Sequence, residues 1–496
     1  MSEQTPFRPK ARLPRGFKDR DEAELAAERR MLDTIRKVYS AYGFQALETS
    51  SLEYSDALGK FLPDLDRPNE GVFSFKDDDG QWVSLRYDLT APLARYVAEN
   101  FQGLPKPFRR YQVGTVWRNE KPGPGRFREF TQFDADTVGT ASPAADAELL
   151  MMCADSLEAL GLKRGEYVIK LNNRKILDGL LEQIGIPVAD RARRNVVLRA
   201  IDKLDRLGVA GLRALLGFGR KDESGDFTKG AELSPDQINL IIGLIQPSIV
   251  SSSPNFSATM ASNLASSNTE IGFQGRIEVD SILQIVKAGG YEADRIMYDP
   301  GIVRGLEYYT GAVFEAQLTF PVTNEQGEAV VFGSVGGGGR YDDLIARFTG
   351  QSVPATGISI GVSRLLAALR ARSGTEVWAT EPLIVVLVLD KGAIAESFRI
   401  AQELRAAGLR AEAYVGDSGM KAQLKYADRR GAAIAVIEGS DERARGEVQI
   451  KDLILGAELA KSTESRADWV KDRPAQQTVK RDELVSAIRA VLTRGG

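Results

Sequence analysis

Apolar residues recur at helical spacing near the start of the chain and at strand-like spacing soon after. Over residues 21–42 the pattern predicts an amphipathic helix that ends at Gly43. Between residues 71 and 133, short runs rich in valine and aromatic residues surround the turn signal Asp79-Gly80. We therefore predict a helix followed by antiparallel strands. The apolar face of the helix carries Leu25, Leu32, Ile35, Val38 and Tyr39.

The middle of the chain changes character twice. After a predicted helix over 143–160, residues 189–276 are mostly of helical pattern and include a run rich in serine and asparagine. Strand-like patterns return at residues 296–320, and a helix is predicted from Val362. These changes predict one domain split between residues 1–188 and 277–372, with residues 189–276 as a helical insertion.

In the last quarter of the chain, over residues 381–496, apolar strand-like runs alternate with helical patterns. Buried strands that alternate with helices are typical of a small α/β domain. A helical segment over 418–430 within it carries several basic residues. Such a cluster is either a solvated face or a contact for nucleic acid.

The amino-acid composition excludes several kinds of catalytic and metal site. The chain has 496 residues, no histidine and a net charge of −3. The absence of histidine excludes an imidazole base, a Ser-His-Asp triad and histidine metal ligands. No apolar stretch is long enough to cross a bilayer and the polar start has no signal-peptide core, so we expect a cytoplasmic protein. The single cysteine, Cys153, is predicted to be a buried structural thiol.

The richest motif is an arginine-rich hairpin over residues 109–139, in which charged and aromatic residues alternate. Strand periodicity places Arg126, Arg128, Phe130 and Gln132 apart from Phe127 and Phe133. The hairpin is either an exposed ladder of paired charges or a site for phosphates and amines. Its polar residues are Arg118, Glu120, Arg126, Arg128, Gln132, Asp134 and Asp136.

Two further motifs carry candidate site residues. Arg304 opens a strand-like run with the adjacent pair Tyr308 and Tyr309, one of which can face a pocket. The run GSVGGGGRYDDL lacks the Gly-Lys-Ser/Thr ending of a P-loop. Its glycines are predicted to let a strand approach closely and to deliver Arg340 and Tyr341 to a site.

Taken in order, these motifs resemble the histidyl-tRNA synthetases, a family of class II aminoacyl-tRNA synthetases, over nearly the whole chain. The segments that carry the resemblance are PRGFKD, SLRYDLTAPLARY, the arginine-rich hairpin, LNNRKILDGLL, RGLEYYTG, GGGGRYDDL and GISIGVSRL. The resemblance implies an α+β catalytic domain with a mixed, mainly antiparallel sheet, a helical insertion near the tRNA acceptor arm, a C-terminal α/β anticodon-binding domain and a homodimer.

It also implies the reaction. ATP would activate histidine to histidyl-adenylate, with Mg²⁺ carried by the nucleotide and no resident metal, and the amino acid would pass to the 3′ end of tRNA(His). The chief alternative is a catalytically inactive regulatory subunit of histidine biosynthesis, which usually lacks catalytic arginines and the anticodon domain. A class II synthetase for another amino acid is a second alternative, against which RGLEYYTG argues.

Residue roles follow from the same resemblance. Arg118 and Arg304 are expected to be catalytic, and Asp136 with Tyr309 to read the imidazole, although many bacterial relatives carry glutamate at the position of Asp136. The residues expected to bind histidine are Asp88, Thr90, Arg118, Gln132, Asp136, Arg304, Tyr308, Tyr309 and Tyr341. Those expected to bind ATP are Arg118, Glu120, Arg126, Phe130 and Arg364. Those expected to bind tRNA are Lys421, Lys425 and Arg429.

Overall fold

A computed structural model of the chain describes residues 8–58, 71–122, 127–221, 225–245, 269–305, 309–323, 329–373, 381–462 and 475–494. The chain divides into two compact units, Met1–Trp378 and Ala379–Gly496. Among the described residues, no helix combines the length and the apolarity needed to cross a bilayer.

An eight-stranded sheet forms the centre of the first unit. Its two edge pairs are parallel and every other neighbouring pair is antiparallel. The predicted mixed, mainly antiparallel sheet is therefore confirmed. In spatial order its strands are Gln45–Ala46, Phe108–Trp117, Glu129–Val138, Ala355–Gly361, Ser334–Arg340, Ala312–Leu318, Tyr167–Asn173 and Ile296–Tyr298.

Helices cover one face of this sheet and bury its core. The predicted first helix is present as Glu22–Ala41, and Oδ1 of Asp21 caps it by accepting the backbone N–H of Glu24 over 2.8 Å. The predicted thiol, Cys153, is fully buried in the same core, and burial raises its pKa to about 12. The larger helices of the first unit are Glu22–Ala41, Thr90–Asn100, Pro143–Ala159, Arg174–Gln183, Arg191–Ile201, Leu204–Leu216, Pro235–Ile245, Glu270–Ala288 and Val362–Ser373.

The first unit also has smaller elements. Leu52–Tyr54, Trp82–Leu85 and Ser74–Lys76 form an antiparallel sheet, and the N–H of Gly80 donates to the carbonyl of Asp77 over 3.0 Å in the predicted turn. The remaining pieces are the strand pairs Gly219–Lys221 with Phe227–Lys229 and Pro321–Thr323 with Ala329–Val331, and the short helices Ser55–Leu58 and Ala346–Thr349.

Part of the predicted insertion packs in a second hydrophobic core that it shares with residues outside the insertion. Helices Arg191–Ile201, Leu204–Leu216 and Pro235–Ile245 pack together with the helix Arg174–Gln183, apart from the core beneath the large sheet. Residues 246–268 lie outside the described residues, and the boundaries at 189 and 276 remain predictions.

Glycines allow close approach within the large sheet, as the glycine-rich motif predicted. A Cβ atom at Gly338 would overlap the carbonyl oxygen of Gly357 and the ring of Phe314. A side chain at that position would therefore push the neighbouring strands apart.

The second unit contains a five-stranded sheet. Its first three strands are parallel and its last two pair antiparallel, which confirms the predicted α/β character. In spatial order the strands are Ala411–Ala413, Ile384–Val386, Ile434–Ile437, Glu447–Asp452 and Gln476–Lys480. The helices are Ile394–Ala406, Met420–Arg429, Ser440–Arg445, Leu453–Ser462 and Leu484–Arg494, with 3₁₀ turns at Lys391–Ala393 and Arg481–Glu483.

Candidate active site

A cavity of about 890 Å³ opens on the face of the large sheet in the first unit. Alternate residues of the strand Glu129–Val138 form part of its floor. Phe130, Gln132 and Asp134 line the cavity, whereas Phe133 points into the core beneath the helices. The alternation predicted for the arginine-rich hairpin thus separates a polar floor from an apolar core.

Asp88 is held in the cavity wall at the start of the helix Thr90–Asn100. Its Oδ1 accepts the backbone N–H groups of Thr90 over 3.1 Å and Ala91 over 2.9 Å. Burial raises the pKa of this carboxyl, while the N–H of Ala91 and the charge of Arg118 oppose the shift. The cap fixes one carboxylate oxygen, and Asp88 and Thr90 both line the cavity.

Four arginines among the described residues line the cavity, and three of them, Arg118, Arg304 and Arg364, are residues predicted for the site. Nε of Arg118 donates to the carbonyl of Tyr87 over 3.2 Å, and its guanidinium lies 5.0 Å from the ring centroid of Phe130. Arg304 pairs with Glu315. Nη2 of Arg364 donates to the carbonyl of Phe332 over 2.5 Å. Each guanidinium is therefore oriented by its own partner.

Gly337 lies beside Arg304. A Cβ atom at Gly337 would stand 3.4 Å from Nη1 of Arg304, which is an ordinary van der Waals contact. The predicted strand from Arg304 is wrong, because the strand begins only at Ala312. Gly305 has a φ of 58°, which no strand residue adopts, and it accepts a turn hydrogen bond of 3.0 Å from the N–H of Tyr309.

Tyr309 lines the cavity between two glycines. A Cβ atom at Gly305 would overlap its ring, and one at Gly339 would come within 2.9 Å of it. Burial raises the pKa of Tyr309, and the nearby Arg304 opposes the shift. The hydroxyl therefore stays protonated and is able to donate a hydrogen bond.

Asp134 lies at the bottom of the cavity and is 2% exposed. The hydroxyl of Ser359 donates a hydrogen bond to the carboxylate of Asp134 and accepts one from Nε2 of Gln132 over 2.7 Å. Oδ1 of Asp134 and Oε1 of Gln132 have no hydrogen-bond partner among the described residues. Burial and the neighbouring Asp136 raise the pKa of Asp134 to about 7, while Arg110 opposes the rise.

Asp136 belongs to a buried group behind the cavity. Its Oδ2 lies 2.8 Å from Nη2 of Arg110, and the hydroxyl of Tyr341 donates to its Oδ1. Neither Asp136 nor Tyr341 lines the cavity. Arg340 also points away, into an ion pair with the buried Asp146. The glycine-rich strand therefore delivers neither Arg340 nor Tyr341 to the cavity, contrary to the sequence prediction.

Most of the residues predicted for histidine and ATP are brought together by the structure. Asp136 and Tyr341 lie outside the lining, and Arg126 and Tyr308 lie outside the described residues. The predicted residues that line the cavity are Asp88, Thr90, Arg118, Glu120, Phe130, Gln132, Arg304, Tyr309 and Arg364.

Comparison with known proteins covers both units. A family model described as histidyl-tRNA synthetase matches residues 16–365, and a model described as anticodon-binding domain matches residues 383–491. A Brucella abortus (strain S19) protein named histidine–tRNA ligase is 57% identical over 489 residues, which cover 97% of this chain and 96% of the relative. The chain belongs to the histidyl-tRNA synthetase family.

Further relatives of this synthetase support the same family assignment. A histidine–tRNA ligase from Caulobacter vibrioides is 55% identical over 491 residues, covering 98% of each chain. The crystal structure of histidyl-tRNA synthetase from Nostoc sp. PCC 7120 matches with a TM-score of 0.70 and 28% identity, over 97% of this chain and 100% of the other.

A Bacillus halodurans structure described as an ATP phosphoribosyltransferase regulatory subunit/histidyl-tRNA synthetase matches with a TM-score of 0.63 over 85% of this chain and 97% of that chain. At 22% identity it shows a shared fold alone.

Sequence reasoning about this synthetase missed part of the cavity. The resemblance assigns no role to Asp134, although this residue shares the strand parity of Gln132 and lines the cavity. Arg199 and Asp202 line the cavity from the end of the helix Arg191–Ile201, within the predicted insertion. No local signal marks them, because only the tertiary fold brings that helix end to the sheet.

The basic residues predicted for tRNA contact lie along one helix of the second unit. Lys421, Lys425 and Arg429 are exposed on Met420–Arg429 at four-residue spacing, and none forms an ion pair with a described residue. The opposite side of the helix is anchored by Gln423, whose Nε2 donates to the carbonyl of Val388 over 2.6 Å. We refer to the three exposed residues as the basic stripe.

Proposed function

We propose that this histidyl-tRNA synthetase activates histidine with ATP and transfers it to tRNA(His). The observation that carries the proposal is the cavity itself, in which Arg118, Arg304 and Arg364 face a floor of carboxylate and amide groups. Cationic donors suit phosphates and a carboxylate, and acceptors suit an ammonium group.

In the first step, a carboxylate oxygen of histidine attacks the α-phosphorus of ATP. A new oxygen–phosphorus bond forms, the bond between the α-phosphorus and the bridging oxygen breaks, and pyrophosphate leaves. The carboxylate is already ionised, so no protein base is required. This suits a chain without histidine. Fixed guanidinium donors stabilise the negative charge that develops at the α-phosphate.

We assign Arg118 and Arg304 to this catalytic role, with Arg118 also stacked on Phe130 beside the adenine site. Glu120, Arg126 and Arg364 complete the proposed ATP site. Mg²⁺ would arrive with the nucleotide and neutralise the departing pyrophosphate. We assign the α-amino group of histidine to Asp88, Thr90 and Gln132, the acceptors of the cavity wall and floor.

In the second step, a terminal ribose hydroxyl of tRNA attacks the carbonyl carbon of the adenylate, and AMP leaves. We propose that the basic stripe contacts tRNA phosphates and that the insertion of residues 189–276 approaches the acceptor arm. We further propose that the enzyme works in the cytoplasm as a homodimer, as the family resemblance implies.

Amino-acid-dependent exchange of labelled pyrophosphate into ATP, measured with each of the twenty amino acids, tests the activation step. Exchange with histidine alone is the expected result. Exchange with a different amino acid would assign another substrate. No exchange at all, with magnesium present, would favour the regulatory alternative.

A further inference from the structure

We propose that Asp134, and not Asp136, is the carboxylate that recognises the imidazole ring of the histidine substrate. The proposal rests on the proposed function and names the specificity residue of the same cavity. It departs from the expectation that the resemblance set for Asp136.

Position along one strand is the first argument. Phe130, Gln132, Asp134 and Asp136 share one side of Glu129–Val138, and successive members are about 7 Å apart. The cavity ends at Asp134. A substrate with its adenylate over Phe130 and its amino group at Gln132 therefore places its side chain over Asp134.

The partners of Asp136 are the second argument. Arg110 is fully buried and lies 2.8 Å from Oδ2 of Asp136, while Tyr341 occupies Oδ1. A Cβ atom at Gly357 would overlap the same carboxylate, so the space around it is full. If Asp136 turned toward the substrate, it would leave a buried guanidinium without its counter-charge.

Each of the two carboxylates has a buried oxygen without a hydrogen bond, but Oδ2 of Asp136 lies in an ion pair with Arg110, whereas no described residue forms an ion pair with Asp134. Oδ1 of Asp134 is buried at the cavity floor and unpartnered among the described residues, as is Oε1 of Gln132. Buried acceptors without donors are rare in folded proteins, so a ligand donor is the natural complement of each. Histidine brings two kinds of N–H donor: an α-ammonium group for Gln132 and a ring N–H for Asp134.

The electrostatics of the pocket agree with this geometry. Burial raises the pKa of Asp134 to about 7, and Arg110, the cation that opposes the rise, is already paired with Asp136. A ring N–H that donates to Asp134 would stabilise its ionised form. A side chain without that donor would leave the carboxylate buried and unpaired, which provides selectivity.

Two matched variants test the proposal: Asp134→Asn and Asp136→Asn, isosteric changes two residues apart in one strand. In histidine-dependent pyrophosphate exchange, Asp134→Asn is expected to raise the KM for histidine by about tenfold, because a neutral amide oxygen accepts the ring N–H more weakly than a carboxylate does. The KM for ATP should stay unchanged. Asp136→Asn should change the KM for histidine by less than about threefold, because Asp136 lies outside the cavity; loss of the counter-charge of Arg110 should instead lower the stability of the fold.

A measurement from the ligand side excludes a general structural effect. By calorimetry, the wild-type enzyme should lose affinity for one of the two ring N-methylhistidines, the one methylated at the nitrogen that donates to Asp134. In Asp134→Asn the same methyl group should reduce the affinity much less, because the carboxylate that accepts the ring N–H is absent. If Asp134→Asn does not fold, Ser359→Ala takes its place. That change removes the hydroxyl bound to Asp134, and we expect it to raise the KM for histidine about fivefold.

A rise in the KM for histidine that is as large in Asp136→Asn as in Asp134→Asn overturns the proposal, and so does an unchanged KM in Asp134→Asn. If the wild type shows histidine-dependent exchange and either of these results is found, this inference is wrong but the proposed function stands. If the wild type shows no histidine-dependent exchange, the proposed function is wrong.

Discussion

The charged pair behind the cavity of the first unit is buried, whereas the charges of the basic stripe in the second unit project into solvent. Arg110 and Asp136 are at most 2% exposed and lie 2.8 Å apart, and the partly exposed Arg304 is oriented by the buried Glu315. Lys421 and Lys425 have no comparable partner among the described residues.

Charged side chains in the two regions are therefore expected to act differently. In a buried site the dielectric is low and each charge has one orientation, so removing one guanidinium has a large and specific effect. On an exposed helix the charges are screened by salt and each acts as one of several similar contributors. Substitutions in the two regions should therefore differ in size, in salt dependence and in the step that they affect.

The largest effect is expected for Arg304→Ala. Removing a fixed donor from the charge that develops at the α-phosphate should lower kcat/KM for histidine-dependent pyrophosphate exchange by about 10³-fold. Arg304→Lys should recover only part of the loss, because an ammonium group cannot reproduce a guanidinium fork. As a control, Arg399→Ala removes an exposed arginine of the second unit and should leave exchange intact. Near-normal exchange in Arg304→Ala would remove this arginine from the mechanism.

Stability should show the same contrast. Arg110→Met breaks the buried pair and leaves Asp136 uncompensated, so the first unit should lose about 3–5 kcal/mol of unfolding free energy. Arg430→Met breaks an exposed pair with Glu412 in the second unit and should cost less than about 1 kcal/mol. Urea unfolding, followed separately for each unit, measures both changes. Equal losses would show that burial does not govern the strength of these pairs.

The pH dependence of histidine binding provides a smaller effect. Because the pKa of Asp134 is raised to about 7, its carboxyl is largely protonated at pH 6 and ionised at pH 8. The KM for histidine should fall by about tenfold across this range in the wild type, beyond the change caused by the substrate's own imidazole. Asp134→Asn retains only the substrate's contribution. Parallel profiles for the two proteins would show that Asp134 does not titrate against bound histidine.

The raised pKa of Asp134 also predicts how the stability of the protein changes with pH. The pKa of Asp134 is raised from an ordinary value of 3.8, so the folded state binds this proton more tightly than the unfolded state. The contribution of Asp134 to stability is therefore fully present below pH 3.8 and is lost as the pH rises to about 7. Asp134→Asn should flatten that part of the stability profile.

The smallest effect is expected at the basic stripe. Reversing Lys421 and Lys425 to glutamate should weaken tRNA binding by about tenfold at low salt and lower the slope of log affinity against log salt by about two. Pyrophosphate exchange, which needs no tRNA, should be unchanged. Lys480→Glu is the control, since this exposed lysine already pairs with Glu447. An unaltered salt slope in the double variant would mark the stripe as a solvated face.

Sequence periodicity predicted much of this arrangement. The alternation along residues 129–138 separates Gln132 from Phe133, and the cap, turn and glycine signals predicted the first helix, the hairpin at Gly80 and the close strand approach. These features depend on neighbouring residues, whose chemistry is visible along the chain.

What sequence could not predict depends on distant partners. Asp134 and Asp136 have the same parity, and what distinguishes Asp136 is its contact with Arg110 on the neighbouring strand and with Tyr341, which follows the strand Ser334–Arg340. Arg199 reaches the cavity from a helix far along the chain. The local sequence pattern gave one wrong prediction: it indicated a strand at Arg304, where Gly305 turns the backbone.

The single cysteine of the chain has a practical consequence for spectroscopy. Cys153 is fully buried and its pKa is raised to about 12, so it is nearly devoid of thiolate at neutral pH and inaccessible to maleimide dyes. A cysteine introduced at the exposed Asp79 of the first unit and another at the exposed Ser418 of the second would be the only sites labelled. Fluorescence energy transfer between them would then report the distance between the two units as tRNA binds, without removal of the native thiol.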